Sequence, residues 1–172
     1  MSIPCIVRAA TEQQIAWIGG SVHRVVLDGA ATAGSLAAFR SSMRRGAASP
    51  VHVHERDDET IFLNDGTGLF WAGDKCWEAG PGDTVFLPRD VPHTYLFTSD
   101  TVDMVTVCTP AGMEDFFRAV GWDLASPLPQ DWAVDMAELK AAGEATGQRV
   151  LGPPLGRGDV MPPEYLQLSH GR

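Results

Sequence analysis

The sequence predicts a single, mainly β domain. Its length of 172 residues is about that of one domain. Eighteen glycines and twelve prolines are present, and they interrupt the middle of the chain every few residues. Such frequent breaks favour short strands joined by tight turns over long helices. Many short strands at this spacing are typical of a β-sandwich or a β-barrel.

Strands are predicted from about Ser21 to about Thr109. Apolar, β-branched and aromatic residues fill each predicted strand, and Asp, Asn, Gly, Pro and Ser mark the turns between them. The predicted strands are Val22–Leu27, Ser35–Met43, Val51–His54, Glu59–Leu63, Gly68–Trp71, Lys75–Glu78, Asp83–Leu87, His93–Phe97 and Val102–Cys108.

The two ends of the chain differ from this middle part. Residues 1–20 are predicted to form an N-terminal arm with an apolar anchor at Ile15, Trp17 and Ile18. The β domain is expected over residues 21–110, and residues 111–172 are expected to hold helices and an extended tail. The tail is expected to pack on its own domain or on a neighbouring subunit.

Two helices are predicted after the last strand. Met113–Val120 has apolar residues at helical spacing and two acidic residues in its first turn, where the helix dipole favours negative charge. A second helix is predicted at Asp135–Ala145, and Gly147 is a suitable stop for it.

The charge balance excludes several classes of function. Twenty-two acidic residues against thirteen basic ones give a formal net charge of −9. This charge repels phosphate backbones and anionic lipids, so neither nucleic acid nor a membrane is expected as a partner. The N-terminal residues show no basic segment followed by an apolar one, so no signal peptide is expected. We therefore expect a soluble, cytoplasmic protein.

The three cysteines do not suggest a redox or zinc motif. Cys5, Cys76 and Cys108 are far apart, and no CxxC spacing occurs. Cys76 and Cys108 lie in apolar, strand-like segments, so both are expected to be reduced core thiols. No disulfide is expected.

Candidate metal ligands lie in two segments. His52 and His54 are two residues apart in a predicted strand, so their imidazoles project from the same face and can bind one metal ion. Glu59 follows a polar turn and can supply an oxygen ligand, and His93 begins a distant strand. Each feature alone is more often structural; their combination indicates a site. His23 has no metal-like neighbours and is expected to be structural or exposed.

The spacing of these residues resembles two motifs of the cupin superfamily. The first motif, G(x)5HxH(x)4E(x)6G, is matched in full by Gly46, His52, His54, Glu59 and Gly66. The second, G(x)5PxG(x)2H(x)3N, is matched by Gly82, Pro88 and His93, whereas Asp90 replaces the usual Gly and Phe97 the usual Asn. Aspartate tolerates a left-handed turn better than most residues, so the turn can survive.

This resemblance implies a fold and a metal site. The implied fold is a cupin barrel, also called a double-stranded β-helix or jelly roll, followed here by two short helices. The implied ligands are His52, His54, Glu59 and His93, which would hold one divalent first-row metal per chain. Three nitrogens and one oxygen suit Ni, Mn, Co, Fe, Cu or Zn, and the ligands alone do not choose among them.

Further segments are similar to those of single-domain cupins related to bacterial quercetin 2,3-dioxygenases. They are Trp17–Gly20, the segment from Cys108 to Phe117 that reads CTPAGMEDFF, and Val150–Pro154, which reads VLGPP. The similarity implies a dioxygenase that cleaves a flavonol or related aromatic substrate with O₂, with Glu59 as general base. A non-oxidative isomerase or cyclase acting on a polyketide-like intermediate, and a small-molecule-binding cupin, are the alternatives. A homodimer is expected, as is usual for such cupins.

Side-chain parity predicts the residues of the substrate pocket. Tyr95 and Phe97 share the face of His93, and Ile61 and Leu63 share the face of Glu59. These four residues either line an apolar pocket or simply fill the barrel, as side chains of small barrels do.

Overall fold

The computed structural model describes residues 4–167, so residues 1–3 of the predicted arm and residues 168–172 of the predicted tail lie outside it. Within this range no helix is long and apolar enough to cross a membrane. The strands are β1 (Gln13–Trp17), β2 (Ser21–Leu27), β3 (Ala37–Arg44), β4 (Val51–His54), β5 (Asp58–Asp65), β6 (Gly68–Ala72), β7 (Lys75–Ala79), β8 (Thr84–Leu87), β9 (His93–Phe97), β10 (Thr101–Thr109), β11 (Trp122–Asp123) and β12 (Gln148–Gly152). The helices are α1 (Gly29–Thr32), α2 (Met113–Val120), α3 (Met136–Thr146) and α4 (Pro163–Leu166), and short 3₁₀ turns occupy Ala9–Thr11 and Ile18–Gly20.

The strands form two antiparallel sheets, as the prediction of a mainly β fold requires. The larger sheet has seven strands in the order β11-β1-β2-β3-β10-β5-β8, and the smaller has five in the order β12-β4-β9-β6-β7. One buried cluster joins Ile61 and Leu63 of the larger sheet to Phe70 and Phe97 of the smaller. The two sheets therefore pack face to face around an apolar core.

The N-terminal segment is part of the larger sheet rather than only an arm. β1 pairs with β2 in a register that places Ile15 opposite His23. Ile15 and Trp17, which were predicted as an anchor, are buried in a core cluster, and Ile18 packs against that cluster. Three consecutive residues of β1, from Ile15 to Trp17, are buried, so both faces of the strand end are covered, and this burial favours its pairing with β2.

The C-terminal segment covers both sheets. Helix α2 has the predicted bounds, and α3 is displaced by one residue from the prediction and ends at Gly147, which has a left-handed conformation. The tail is not only extended, because it contains the short helix α4, and its extended part β12 pairs with β4. Further on, Leu155 and Met161 join a buried cluster with Val51, Leu69 and Trp71. Within one chain the tail therefore packs on its own domain.

The prediction that Cys76 is a core thiol is wrong. Cys108 is buried, but Cys76 is exposed, and both thiols are free. Cys76 lies on β7, an edge strand whose residues Lys75 to Glu78 are all exposed. Its apolar neighbour Trp77 is 46 % exposed for the same reason.

A buried carboxylate connects the helical segment to the larger sheet. Glu114 is the first acidic residue of the CTPAGMEDFF segment and is 3 % exposed. Its Oε1 accepts a hydrogen bond of 2.7 Å from the Gly29 N–H, and its Oε2 accepts one of 2.8 Å from the Gly112 N–H. The side chain thus accepts hydrogen bonds from backbone N–H groups at the start of both α1 and α2.

We expect Glu114→Ala to lower the free energy of unfolding by about 2–3 kcal/mol, because two partly buried N–H groups lose a charged acceptor. The matched control is Asp115→Ala, which removes an exposed carboxylate 3.5 Å from Arg118 and should change the free energy by less than about 0.5 kcal/mol. Urea unfolding curves of both variants measure the effect. Equal losses in the two variants would contradict the structural role of Glu114.

Candidate metal centre

Three histidines from two adjacent strands meet on the inner side of the smaller sheet. His52 and His54 project from β4, and His93 at the start of β9 pairs in register with His52. The ring centroids are 4.3 Å apart for His52 and His93, 4.8 Å for His54 and His93, and 5.0 Å for His52 and His54. One nitrogen from each ring lies within 4.8 Å of the others. The structure therefore brings together the three histidines that the sequence singled out.

Each of these imidazoles is fixed by a hydrogen bond at Nδ1. The acceptors are the Pro50 carbonyl at 2.9 Å from His52, the Asp57 carboxylate at 3.0 Å from His54, and the Val91 carbonyl at 2.8 Å from His93. A carbonyl or carboxylate oxygen only accepts, so Nδ1 carries the proton in all three rings. In a neutral imidazole the other nitrogen, Nε2, then has a free lone pair.

The free nitrogens make this cluster suitable for a metal ion. The Nε2 atoms of His54 and His93 are buried and have no hydrogen-bond partner among residues 4–167. Buried polar atoms normally have partners, so two unpartnered nitrogens in one cluster require an explanation. Neutral imidazole nitrogens are common ligands of divalent first-row metals. The donor set that is present fits such an ion.

Glu59 adds a carboxylate to the cluster. It lies on β5 of the opposite sheet, is 7 % exposed, and places its Oε2 3.8 Å from the Nε2 of His93. Burial raises the pKa of the Glu59 carboxyl; the charge of His54 opposes this shift, and that of Asp57 adds to it, so the net change is upward. The side chain is therefore a better proton acceptor than a carboxylate in water.

The protonation of the histidines follows from their surroundings. Burial lowers the pKa of His52 to about 3, with a further contribution from the charge of His54, and burial likewise lowers the pKa of His93 well below its usual value. For His54 burial acts in the same direction, but the hydrogen bond to Asp57 and the charge of Glu59 outweigh it and raise its pKa. His52 and His93 are therefore neutral, and His54 lies beside the carboxylates of Asp57 and Glu59. This combination of groups favours the binding of a cation.

A salt bridge and an unusual turn position the loop before His93. Arg89 donates to both carboxylate oxygens of Asp58, at 3.1 and 2.8 Å, and this pairing lowers the pKa of Asp58 to about 2. Asp90, which stands where the motif has glycine, has a left-handed φ of +63°, as the sequence analysis allowed. Its N–H donates to the His54 carbonyl at 2.7 Å, so the turn is attached to β4.

A cavity of about 50 Å³ adjoins the cluster. Its walls are mostly apolar and come from both sheets, from helices α2 and α3, and from β12. The lining residues are Trp17, Ile18, His23, Phe39, Ser49, Pro50, His52, Glu59, Tyr95, Met104, Thr106, Met113, Phe116, Phe117, Leu139, Gly143, Gln148 and Val150.

The four predicted pocket residues divide into two groups. Tyr95 lines the cavity, whereas Ile61, Leu63 and Phe97 are not among its lining residues. These three are at most 2 % exposed and belong to the core between the sheets. The positions of these three residues agree with the alternative interpretation, in which their side chains fill the space between the sheets.

Two residues near the site were not assigned a role from the sequence. Asp57 is 3 % exposed, and its carboxylate accepts the hydrogen bond that orients the His54 ring. In the sequence only its place in the acidic run beside Glu59 pointed to a role near the site. His23 was expected to be structural or exposed; it is 3 % exposed and lines the cavity. No local pattern marks His23, because its position depends on the pairing of β2 with β3.

A second, larger cavity lies next to the first. It measures about 390 Å³ and is bordered by residues 16–22 on one side and by residues between Leu124 and Met136 on the other. Trp17 and Ile18 line both cavities and therefore form the boundary between them. We call them the inner cavity and the outer groove.

Comparison with known proteins agrees with this fold. Residues 39–110 match the family model described as the cupin domain. An RmlC-like cupin from Shewanella frigidimarina superposes with a TM-score of 0.54 at 18 % identity, covering 65 % of this chain and 96 % of that one. The chain therefore has the cupin fold.

Two curated relatives carry the same enzyme name. Quercetin 2,3-dioxygenase of Bacillus subtilis is 30 % identical over 103 residues, covering 60 % of this chain and 31 % of the relative. Quercetin 2,3-dioxygenase of Aspergillus japonicus is 31 % identical over 75 residues, covering 41 % of this chain and 21 % of the relative. The chain thus spans less than a third of the length of either relative.

Proposed function

We propose that this protein is a metal-dependent dioxygenase, similar to quercetinases, that cleaves a flavonol or related aromatic substrate with O₂. The observation that carries the proposal is the convergence of three imidazoles with free Nε2 atoms beside Glu59, at the wall of an apolar cavity. The similarity to two quercetin 2,3-dioxygenases supports the choice of substrate class.

In this proposal His52, His54 and His93 hold one divalent metal through Nε2, and Glu59 is the fourth ligand or lies beside it. A bound ion would supply Lewis acidity, which lowers the pKa of a substrate hydroxyl and keeps its oxygen in place. Asp57 and the carbonyls of Pro50 and Val91 keep the rings oriented and make their nitrogens more basic.

Glu59 accepts the proton of the substrate hydroxyl at its Oε2 in this scheme. Its raised pKa makes the carboxylate basic enough to hold that proton during turnover. The aromatic side chains of Phe39, Phe116 and Phe117 pack against the substrate rings and exclude water from the reacting carbons.

A flavonol needs more room than the inner cavity offers. Ligand pockets commonly enclose about 300–1,000 Å³, whereas the inner cavity has about 50 Å³ and the outer groove about 390 Å³. The substrate therefore occupies both spaces, and the side chains of Trp17 and Ile18 move aside to join them. The part of the substrate nearest the histidines is the part that reacts.

The proposed activity predicts consumption of O₂. Metal-loaded protein should take up about one O₂ per flavonol cleaved, because a dioxygenase transfers both oxygen atoms of O₂ to its substrate. An oxygen electrode and product analysis by mass spectrometry measure the ratio. Turnover that continues without O₂ would instead support the isomerase or cyclase alternative, and binding without turnover would support a binding protein.

The proposed ligands predict a loss of metal on mutation. The double variant His52→Ala/His54→Ala should lose the stoichiometric metal that the wild-type protein binds, because two of three nitrogens are removed. His93→Ala should lose it as well, and His23→Gln is the matched control that should retain it. Elemental analysis of the folded proteins gives the result; full metal content in the double variant would contradict the assigned site.

If Glu59 is the base, its substitution should lower turnover much more than metal content. Glu59→Gln should keep much of the metal but lose turnover by about 100-fold or more, because the amide cannot accept the proton. Glu55→Gln is the control, since Glu55 is partly exposed and pairs with Arg149 at 3.4 Å. Steady-state rates at matched metal content test this, and an unchanged rate for Glu59→Gln would show that another group is the base.

A further inference from the structure

His23 is a buried histidine outside the metal cluster. It lies on β2, faces the inner cavity together with His52 and Glu59, and is 3 % exposed. Three strand spacings separate β2 from β5 in the larger sheet, which is about 14 Å along the sheet. His23 and Glu59 therefore contribute to different parts of the cavity wall.

His23 is on the side of the inner cavity that is closest to the outer groove. Ser21 and Val22, just before it on β2, line the groove. The ring of Trp17, which borders both spaces, has its centroid 5.8 Å from that of His23. A substrate that extends from the metal cluster towards the groove passes His23.

The hydrogen bond at Nδ1 couples the tautomer of His23 to the orientation of the Ser41 hydroxyl. Nδ1 is 2.7 Å from the Oγ of Ser41, which is 1 % exposed and has no other hydrogen-bond partner among residues 4–167. If Nδ1 donates, the Ser41 hydrogen and the Nε2 lone pair are left without a partner; if Ser41 donates, its own oxygen and the Nε2–H are. Each arrangement leaves one buried donor and one buried acceptor unpaired, so the two cost about the same in the free protein. An accepting oxygen placed at Nε2 selects the second arrangement, in which Ser41 donates and Nε2 carries the proton.

The Nε2 of His23 is therefore an unpartnered polar atom that can donate a hydrogen bond to a ligand. Its Nε2 is buried and has no partner among the described residues. The ring stacks on Phe117 with centroids 4.1 Å apart, and burial lowers the pKa of His23 to about 3, so the ring is neutral at physiological pH. A neutral donor in apolar surroundings suits an uncharged oxygen and not a carboxylate, whose burial there would be unfavourable.

We propose that His23 is a substrate-binding residue whose Nε2–H donates a hydrogen bond to a hydroxyl or carbonyl oxygen of the substrate, distant from the oxygens at the metal cluster. The inference rests on the proposed function, since it takes an aromatic substrate that bears such an oxygen. In this role His23 contributes to substrate specificity. Flavonols that bear additional ring hydroxyls bind more tightly than a flavonol that lacks them.

The test measures binding without turnover. Metal-loaded protein is titrated in the absence of O₂ with quercetin and with 3-hydroxyflavone, which lacks the additional ring hydroxyls, and tryptophan fluorescence is recorded. The variants are His23→Phe, which keeps an aromatic ring on Phe117, and His23→Gln, which offers an amide N–H near the position of Nε2. The double variant His23→Phe/Ser41→Ala avoids leaving the Ser41 hydroxyl unpaired.

We expect His23→Phe, alone or with Ser41→Ala, to weaken quercetin binding about tenfold, the factor of one ordinary hydrogen bond. Binding of 3-hydroxyflavone should change less than about twofold, and His23→Gln should recover part of the quercetin affinity. Equal loss for both ligands, or no loss for either, would overturn the role of His23 while leaving the proposed function intact. If the wild-type protein binds neither flavonol, the proposed function fails, and the role of His23 fails with it.

Discussion

The hydrogen bonds at the three Nδ1 atoms are the constraint on which the site depends. Each ring is held by an oxygen that can only accept, so each must direct its Nε2 lone pair into the cluster. Turning any ring would break a buried hydrogen bond and leave its acceptor without a partner, which is costly. The folded chain thus places the nitrogens before any ion arrives, and the energy of orienting them is part of the folding free energy.

The acceptors themselves depend on the strands and turns around them. Pro50 directly precedes β4, and Val91 lies in the turn before β9 and precedes Pro92, whose ring restricts the backbone of Val91. The turn before β9 is tied to β5 by the Asp58–Arg89 salt bridge and to β4 by the Asp90 N–H. The same turn therefore sets the position of His93 relative to both His54 and Glu59.

The histidine cluster could largely be predicted from the sequence, whereas the lining of the adjoining cavity could not. The i, i+2 spacing correctly put His52 and His54 on one face, because side-chain alternation is a local property of a strand. The same alternation put Ile61 and Leu63 on the face of Glu59, but it does not tell how deep in the core each residue lies. The structure places both in the packed layer between the sheets.

Long-range pairing accounts for the other differences. The pairing of β1 with β2 and of β12 with β4 joins segments whose local patterns gave no partner. The exposure of Cys76 follows from β7 being an edge strand, which local composition does not reveal. His23 depends on the register of β2 against β3, which sets Ser41 opposite it. These features are set by the topology of the sheets.

The central claim is that the Nε2 atoms of His52, His54 and His93 together bind a divalent metal ion. X-ray absorption spectroscopy of the protein loaded with one equivalent of a divalent first-row metal tests it most directly. The account predicts a first shell of light atoms at about 2.0–2.2 Å and multiple scattering from three imidazole rings. A spectrum with oxygen neighbours and no imidazole scattering would contradict it.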